Sequence, residues 1–201
     1  MKIRFEEYDP NWMVDFKRIS SELKTLIGFL SPQIEHIGST SVKGLSAKPI
    51  VDVLVGVNNE SDLDLAIRPL IRADYVYYEV YNATMPYRRF FVKHKVEPQS
   101  LSIPKMIVHE KEIPNSTEEH HNRLAHVHIL PLDSEHYLRH IAFRDYLRCH
   151  PKVRDEYQQL KQELSDYEWL DGNEYNQAKD RFIKVEESKA IDWYQKRLKS
   201  S

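Results

Sequence analysis

With one cysteine, five glycines and no apolar run near the ~20 residues of a membrane span, the 201-residue chain excludes several classes at once. The single thiol, Cys149, rules out an intrachain disulfide and fits a reducing cytoplasm. The first thirty residues mix acids with bases and hold no continuous apolar core, so no secretory signal is expected. An excess of one charge is also missing. The 29 Lys and Arg residues face 31 Asp and Glu, for a net −2, and this balance carries no clear nucleic-acid signature and no push toward an anionic membrane. The remainder is ordinary for a soluble globular protein, 41% hydrophobic and 30% charged, which is enough for one sizeable core. No repeat, low-complexity tract or linker divides the chain, so one domain is expected over 1–201, with a core to about 131 and a helical region over about 134–199.

Asp9-Pro10 reads as a helix start. After it, Trp12, Phe16, Ile19, Leu23, Leu26 and Leu30 recur at steps of four and three and form one apolar helical face. A short strand follows over 34–37, then a Gly38-Ser39 turn, then a nearly all-apolar strand over 49–57. A helix is predicted over 61–71, and two or three strands over 75–108, broken by Pro86, Pro98 and Pro104. Residues 109–122 read as an exposed polar loop and 125–131 as a strand. Three helices should close the chain. The first stops before Pro151, the second has Val153, Tyr157, Leu160 and Leu164 on its face, and the third runs over 174–198 with Tyr175, Ala178, Phe182, Val185, Ala190, Trp193 and Leu198 apolar.

Four features carry chemistry. Gly38-Ser39 permits a tight turn with close backbone approach, which serves either a plain turn or a phosphate cradle at a following helix. Asp52 stands inside Pro-Ile-Val-Asp-Val-Leu-Val, where an unpaired carboxylate is costly, so a cation, Lys48 or an arginine is expected beside it. His126 and His128 lie two apart on a strand and therefore share a face, suited to a metal or a phosphate, or to one buried and one surface imidazole. Arg88-Arg89 should point to opposite sides of their strand, where one guanidinium can clamp a phosphate. His120-His121 read as diverging loop residues. Arg139, Arg144, Arg148, Lys152 and Arg154 are interleaved with acids and read as a solvated face.

The stretch His36-Ile-Gly-Ser-Thr-Ser-Val-Lys-Gly-Leu-Ser-Ala-Lys-Pro-Ile-Val-Asp52 resembles the signature of the GrpB family. The likeness extends through Tyr8-Asp-Pro-x-Trp12, Arg88-Arg-Phe-Phe91, Arg123 with His126-Val-His128, and Phe143-Arg-Asp-Tyr-Leu-Arg148 with His150-Pro151, Tyr157 and Leu160-Lys161. It covers nearly the whole chain. The resemblance implies an α/β nucleotidyltransferase-like fold, a short mixed sheet with packed helices and a helical C-terminal region. It also implies kinship with a domain fused to dephospho-CoA kinase in some bacteria. In that superfamily a Gly-Ser turn holds a triphosphate, and an acidic pair on the next strand holds Mg²⁺. Gly38, Ser39, Lys48, Arg88 and Arg89 would then contact phosphate or substrate. Asp52 would be the catalytic carboxylate and first metal ligand, with His126 and His128 completing a site for a divalent metal (Mg, Mn or Zn). Leu54 stands where the second acid belongs, so two-metal transfer lacks a ligand. Leu124 and Ala125 also replace a Thr and a further His that the family often shows. The expected ligand is a nucleotide or phosphorylated small molecule. Nucleotidyl transfer is the expected reaction if there is one, and the alternative is a binding module without catalysis.

Overall fold

A computed structural model describes residues 5–169 and 172–199. Five strands form one mixed sheet in the order β1-β2-β5-β4-β3: β1 (Gln33–Ile37), β2 (Val51–Val57), β3 (Tyr75–Tyr77), β4 (Arg89–His94) and β5 (Arg123–Pro131). The central pair β2 and β5 is parallel, with Asp52 opposite His126 and Leu54 opposite His128, and the other pairings are antiparallel.

The two-residue period of the strands sorts their side chains onto two faces. Val51, Val53, Val55 and Val57 of β2 join Ala125, Val127 and Ile129 of β5 and Phe91 of β4 in one buried cluster. The helix α1 (Asn11–Ile27) covers this face with Trp12, Ile19, Leu23 and Ile27, as its four-and-three spacing requires. Behind it lie α2 (Asp62–Leu65) and α3 (Ile67–Arg72). The single helix expected over 61–71 is therefore split, because Pro69 has no N–H to give the carbonyl of Leu65.

The opposite face is covered only at its two sides. Near β3 and β4, the irregular segment after β4 packs Ile103 and Ile107 on Val76, Phe90 and Val92. Near β1, α5 (Glu135–Cys149) packs Tyr137 and Ile141 on Ile37, Leu54 and Leu130. Between these two covers the sheet stays open, and there stand Asp52, His126 and His128.

Two further helices, α6 (Pro151–Ser165) and α7 (Gly172–Lys199), complete the C-terminal region. Tyr175 and Ala190 of α7 are buried, whereas Val185 and Leu198, expected on its packed face, are 51% and 60% exposed. The segment 109–122 also departs from the exposed loop expected of it. It contains α4 (Thr117–Asn122), capped by the Ser116 hydroxyl accepting from the Glu119 N–H at 3.1 Å, and it buries Glu119 to 3% exposure. Among the described residues no helix is long and apolar enough to cross a membrane.

Candidate functional site

The open middle of the sheet is the floor of a cleft of about 480 Å³. Asp52, His126 and His128 rise from β2 and β5. Ser39 and Lys48 enter from the segments flanking β1 and β2, Arg88 from the residue before β4, and Arg123 from the start of β5. Arg89 is not part of it. The strand period turns Arg89 to the other face, where its Nε donates to Asp64 of α2 at 2.7 Å, so only one residue of the Arg88-Arg89 pair reaches the site.

Gly38 forms the rim beside Asp52. Its φ of 69° and ψ of −174° fall in a region open essentially only to glycine. A Cβ there would collide with the Asp52 carboxylate, whose own Cβ and Cγ would lie 2.9 Å away. Glycine is thus required by the backbone and by the carboxylate behind it. Gly38→Ala is expected to lower stability by about 2 kcal/mol and to displace the Asp52 side chain. Chemical denaturation would give the first effect and a crystal structure of the variant the second.

Both imidazoles converge on one carboxylate oxygen. His126 Nδ1 lies 3.2 Å from Asp52 Oδ1, and His128 Nε2 lies 3.9 Å from the same atom. On their far sides His126 Nε2 meets Arg123 Nη1 at 3.5 Å and His128 Nδ1 meets Arg88 Nη1 at 3.4 Å. A guanidinium only donates, so this network assigns the acceptor lone pairs to His126 Nε2 and His128 Nδ1, and the N–H groups to the sides facing Asp52. Burial pushes both imidazoles down from their ordinary pKa, against the pull of Asp52, so they are neutral at pH 7. Burial pushes Asp52 up, but the hydrogen bond from His126 and the close approach of His128 outweigh it and hold the carboxyl well below its usual range.

This arrangement does not fit a resident divalent metal. A metal held between Asp52, His126 and His128 needs imidazole lone pairs where the N–H groups are. Reversing both tautomers would set N–H against guanidinium N–H at each arginine. Among the described residues no group of three or more His, Cys, Asp or Glu side chains is placed to hold a metal ion.

The charge of the cleft points the other way. Lys48, Arg88, Arg123 and Lys179 line it against Asp52 alone, in a chain whose net charge is −2. Arg123 is held by Glu119 at 2.8 Å, and Glu119 also meets His94 at 2.9 Å. For Arg88, Lys48 and Lys179 no carboxylate lies within ion-pair distance among the described residues. Lys48 and Lys179 stand 4.9 Å and 4.1 Å from the ring centroid of the same Tyr175, and burial lowers each to a pKa of about 8. His120 also lines the cleft, and burial first, then Lys48 and Arg123, lower it to about 4. An uncompensated group of cations at a half-open site is a place for an anion.

Several of these residues escape a reading of sequence alone. Tyr175 and Lys179 come from the last helix, and His120 from a supposed loop. The solvated face assigned to Arg144 and Arg148 is corrected too. Arg144 donates to Glu35 at 2.6 Å, and Arg148 Nη2 donates to the carbonyl of Ser41 at 2.8 Å. Gln158 accepts from the Ser46 N–H at 2.8 Å, and Lys161 donates to the Ser46 carbonyl and to Ser39 Oγ, the latter at 3.4 Å. Helices α5 and α6 therefore fasten the whole 38–46 turn, because its carbonyls need donors that the turn itself cannot supply.

The family model described as "GrpB protein" matches residues 2–189. The chain belongs to the GrpB family. A crystal structure of conserved protein GrpB from Enterococcus faecalis superposes with a TM-score of 0.74 at 32% identity, covering 96% of this chain and 99% of that one. The glutamate-rich protein GrpB of Alkalihalophilus pseudofirmus is 28% identical over 176 residues, 88% of each chain. A dephospho-CoA kinase of Mycolicibacterium paratuberculosis is 24% identical over 194 residues, and the match spans 46% of that longer protein. This GrpB chain thus resembles both free-standing proteins and part of a larger one.

Proposed function

We propose that the cleft binds a phosphorylated small molecule, and a nucleotide in particular, in a cytoplasmic setting. The observation that carries this reading is the concentration of Lys48, Arg88, Arg123 and Lys179 around one carboxylate. The Ser39 and Thr40 rim adds hydroxyl groups to those cations, and Tyr81, Met85 and Phe90 line the cleft with an apolar surface on which a base can rest. If the cleft is catalytic, the reaction is phosphoryl or nucleotidyl transfer. A second reading, a binding module without catalysis, is favoured by Leu54, which is fully buried under α5 in place of an acid.

Titration calorimetry with ATP, CTP and coenzyme A, each with EDTA or with Mg²⁺ or Mn²⁺, tests the reading on wild type, Arg88→Gln and Asp52→Ala. Binding in EDTA that weakens about 10-fold or more in Arg88→Gln is the expected result, since a charge-assisted hydrogen bond is worth about 1.5–3 kcal/mol. Binding that requires Mg²⁺ and disappears in Asp52→Ala would instead support a metal-dependent site. Absence of heat with every ligand would sink the reading.

A further inference from the structure

We propose that His126 is a nucleophile, accepting a phosphoryl centre covalently at Nε2; the proposal rests on the cleft binding a nucleotide, as argued above. The geometry that points to it is asymmetric between the two imidazoles. Asp52 Oδ1 holds His126 Nδ1 at 3.2 Å, which fixes the ring and its tautomer and turns the Nε2 lone pair to Arg123 Nη1 at 3.5 Å, a contact that a phosphoryl oxygen must take over before Nε2 attacks. His128 is held less closely, at 3.9 Å, and its side chain is less exposed, 14% against 22% for His126, while its lone-pair nitrogen faces Arg88 as that of His126 faces Arg123.

The surroundings of Nε2 fit the same role. Arg123 Nη1 lies 3.5 Å from it, and the Arg123 guanidinium is itself fixed by buried Glu119 at 2.8 Å, with His94 behind Glu119 at 2.9 Å. Lys48 and Lys179 line the same cleft. A phosphoryl centre placed at Nε2 would therefore have fixed cations beside its non-bridging oxygens, where negative charge develops during attack. Asp52 is a positioning residue that also offsets the imidazolium formed by attack. Its carboxylate is in turn seated against Gly38, which has no side chain to displace it. Neither role requires the second strand acid whose position Leu54 occupies.

The step balances without a further reactant. The Nε2 lone pair attacks phosphorus of a phosphoanhydride, an N–P bond forms, and the P–O bond to the leaving group, ADP for attack at the γ-phosphorus of ATP or pyrophosphate for attack at the α-phosphorus, breaks with its electron pair staying on that oxygen. The Nδ1 proton remains shared with Asp52. Attack by water or an acceptor hydroxyl on the phosphoramidate then breaks the N–P bond, returns the pair to Nε2 and releases one proton to solvent.

The test uses ATP labelled at the α- or the γ-phosphate. The intact protein is incubated with each, denatured, and scored for label lost in acid and kept in alkali, which is the behaviour of a phosphoramidate. Tryptic peptides are then sequenced by mass spectrometry, the fragment 124–139 carrying His126 and His128. Acid-labile label mapped to His126 in wild type is the expected result. It should persist in His128→Ala, vanish in His126→Ala and His126→Gln, and form about 10-fold or more slowly in Asp52→Asn, whose ATP affinity changes less. ATP binding by calorimetry with no acid-labile label on wild type would overturn the proposal and leave the cleft reading standing. Label mapped elsewhere, or retained in both His126 variants, would also overturn it. Failure of ATP to bind at all would remove both. The wild-type peptide map decides the matter even if a His126 variant fails to fold.

Discussion

Leu54→Asp, which would supply the acidic pair usual for metal-dependent nucleotidyl transfer, is expected to destabilise the protein strongly and not to activate it. Leu54 is fully buried, packed with Ile37, Leu130, Tyr137 and Ile141 under α5. A carboxylate there loses the leucine contacts and has no cation in that cluster. Removing the packed side chain and burying an unpaired charge together cost about 4 kcal/mol or more. For a chain of this size that is on the order of 10 °C in Tm. Thermal unfolding followed by circular dichroism, with Leu54→Met as the volume-matched control at less than about 1.5 kcal/mol, measures it. A stable Leu54→Asp variant with Mg²⁺-dependent turnover would show that α5 can leave this face of the sheet.

The double variant Lys48→Gln/Lys179→Gln is expected to weaken ATP binding by roughly 100-fold or more, about 10-fold for each charge. The pH dependence separates this electrostatic role from a packing role. Both lysines sit at a pKa of about 8 in the free protein, depressed by burial. A bound anion raises both, so binding takes up protons between about pH 8 and the raised values. Wild-type affinity should be greatest below pH 8 and fall as pH climbs through it, while the double variant stays flatter. Stability of the free protein responds with the opposite sign. The unfolded lysines titrate near 10.5, so the unfolded state holds more protons between about pH 8 and 10.5, and these two groups make the free protein more stable as pH rises across that window. Lys161, depressed to about 7, adds to the same trend from a lower starting point. Affinity measured by calorimetry and Tm measured without ligand, both from pH 7 to 10, should therefore move in opposite directions. An affinity independent of pH in wild type would remove the lysines from the site.

Much of the architecture was legible because local patterns and the final packing agree. Of the expected apolar face, α1 buries Trp12, Ile19 and Leu23, while Phe16 and Leu26 are only partly buried and Ile27, next to Leu26, takes the buried position. The apolar run after Pro49 is a central strand buried on both faces, apart from Asp52 at the cleft. The misses are long-range in origin. Glu119 reads as a loop acid because one partner, His94, lies 25 residues earlier on β4, although the other, Arg123, is only four residues on. Arg148 reads as solvated because the carbonyl it serves is 107 residues earlier in the chain. Two readable signals were available all the same. Lys161 follows Tyr157 by four residues and Lys179 follows Tyr175 by four, so each lysine lies on the helical face of a buried tyrosine. A lysine on such a face is unusual unless something holds it, and here that is the turn carbonyl for Lys161 and the cleft for Lys179. For the site, Asp52 and the two histidines were visible from strand parity. Their convergence on one oxygen was not, because it depends on the parallel register of β2 and β5.

The fastening of the 38–46 turn by α5 and α6 has a practical outcome. Arg148 grips the Ser41 carbonyl, and the next residue, Cys149, is exposed at the end of α5 and is the chain's single thiol. A maleimide dye therefore attaches at one place without any engineered cysteine, and one peptide bond separates that place from the residue gripping the turn. Filling of the cleft would be reported at that dye as a change in its emission or rotational freedom, so the native chain is its own optical gauge of occupancy.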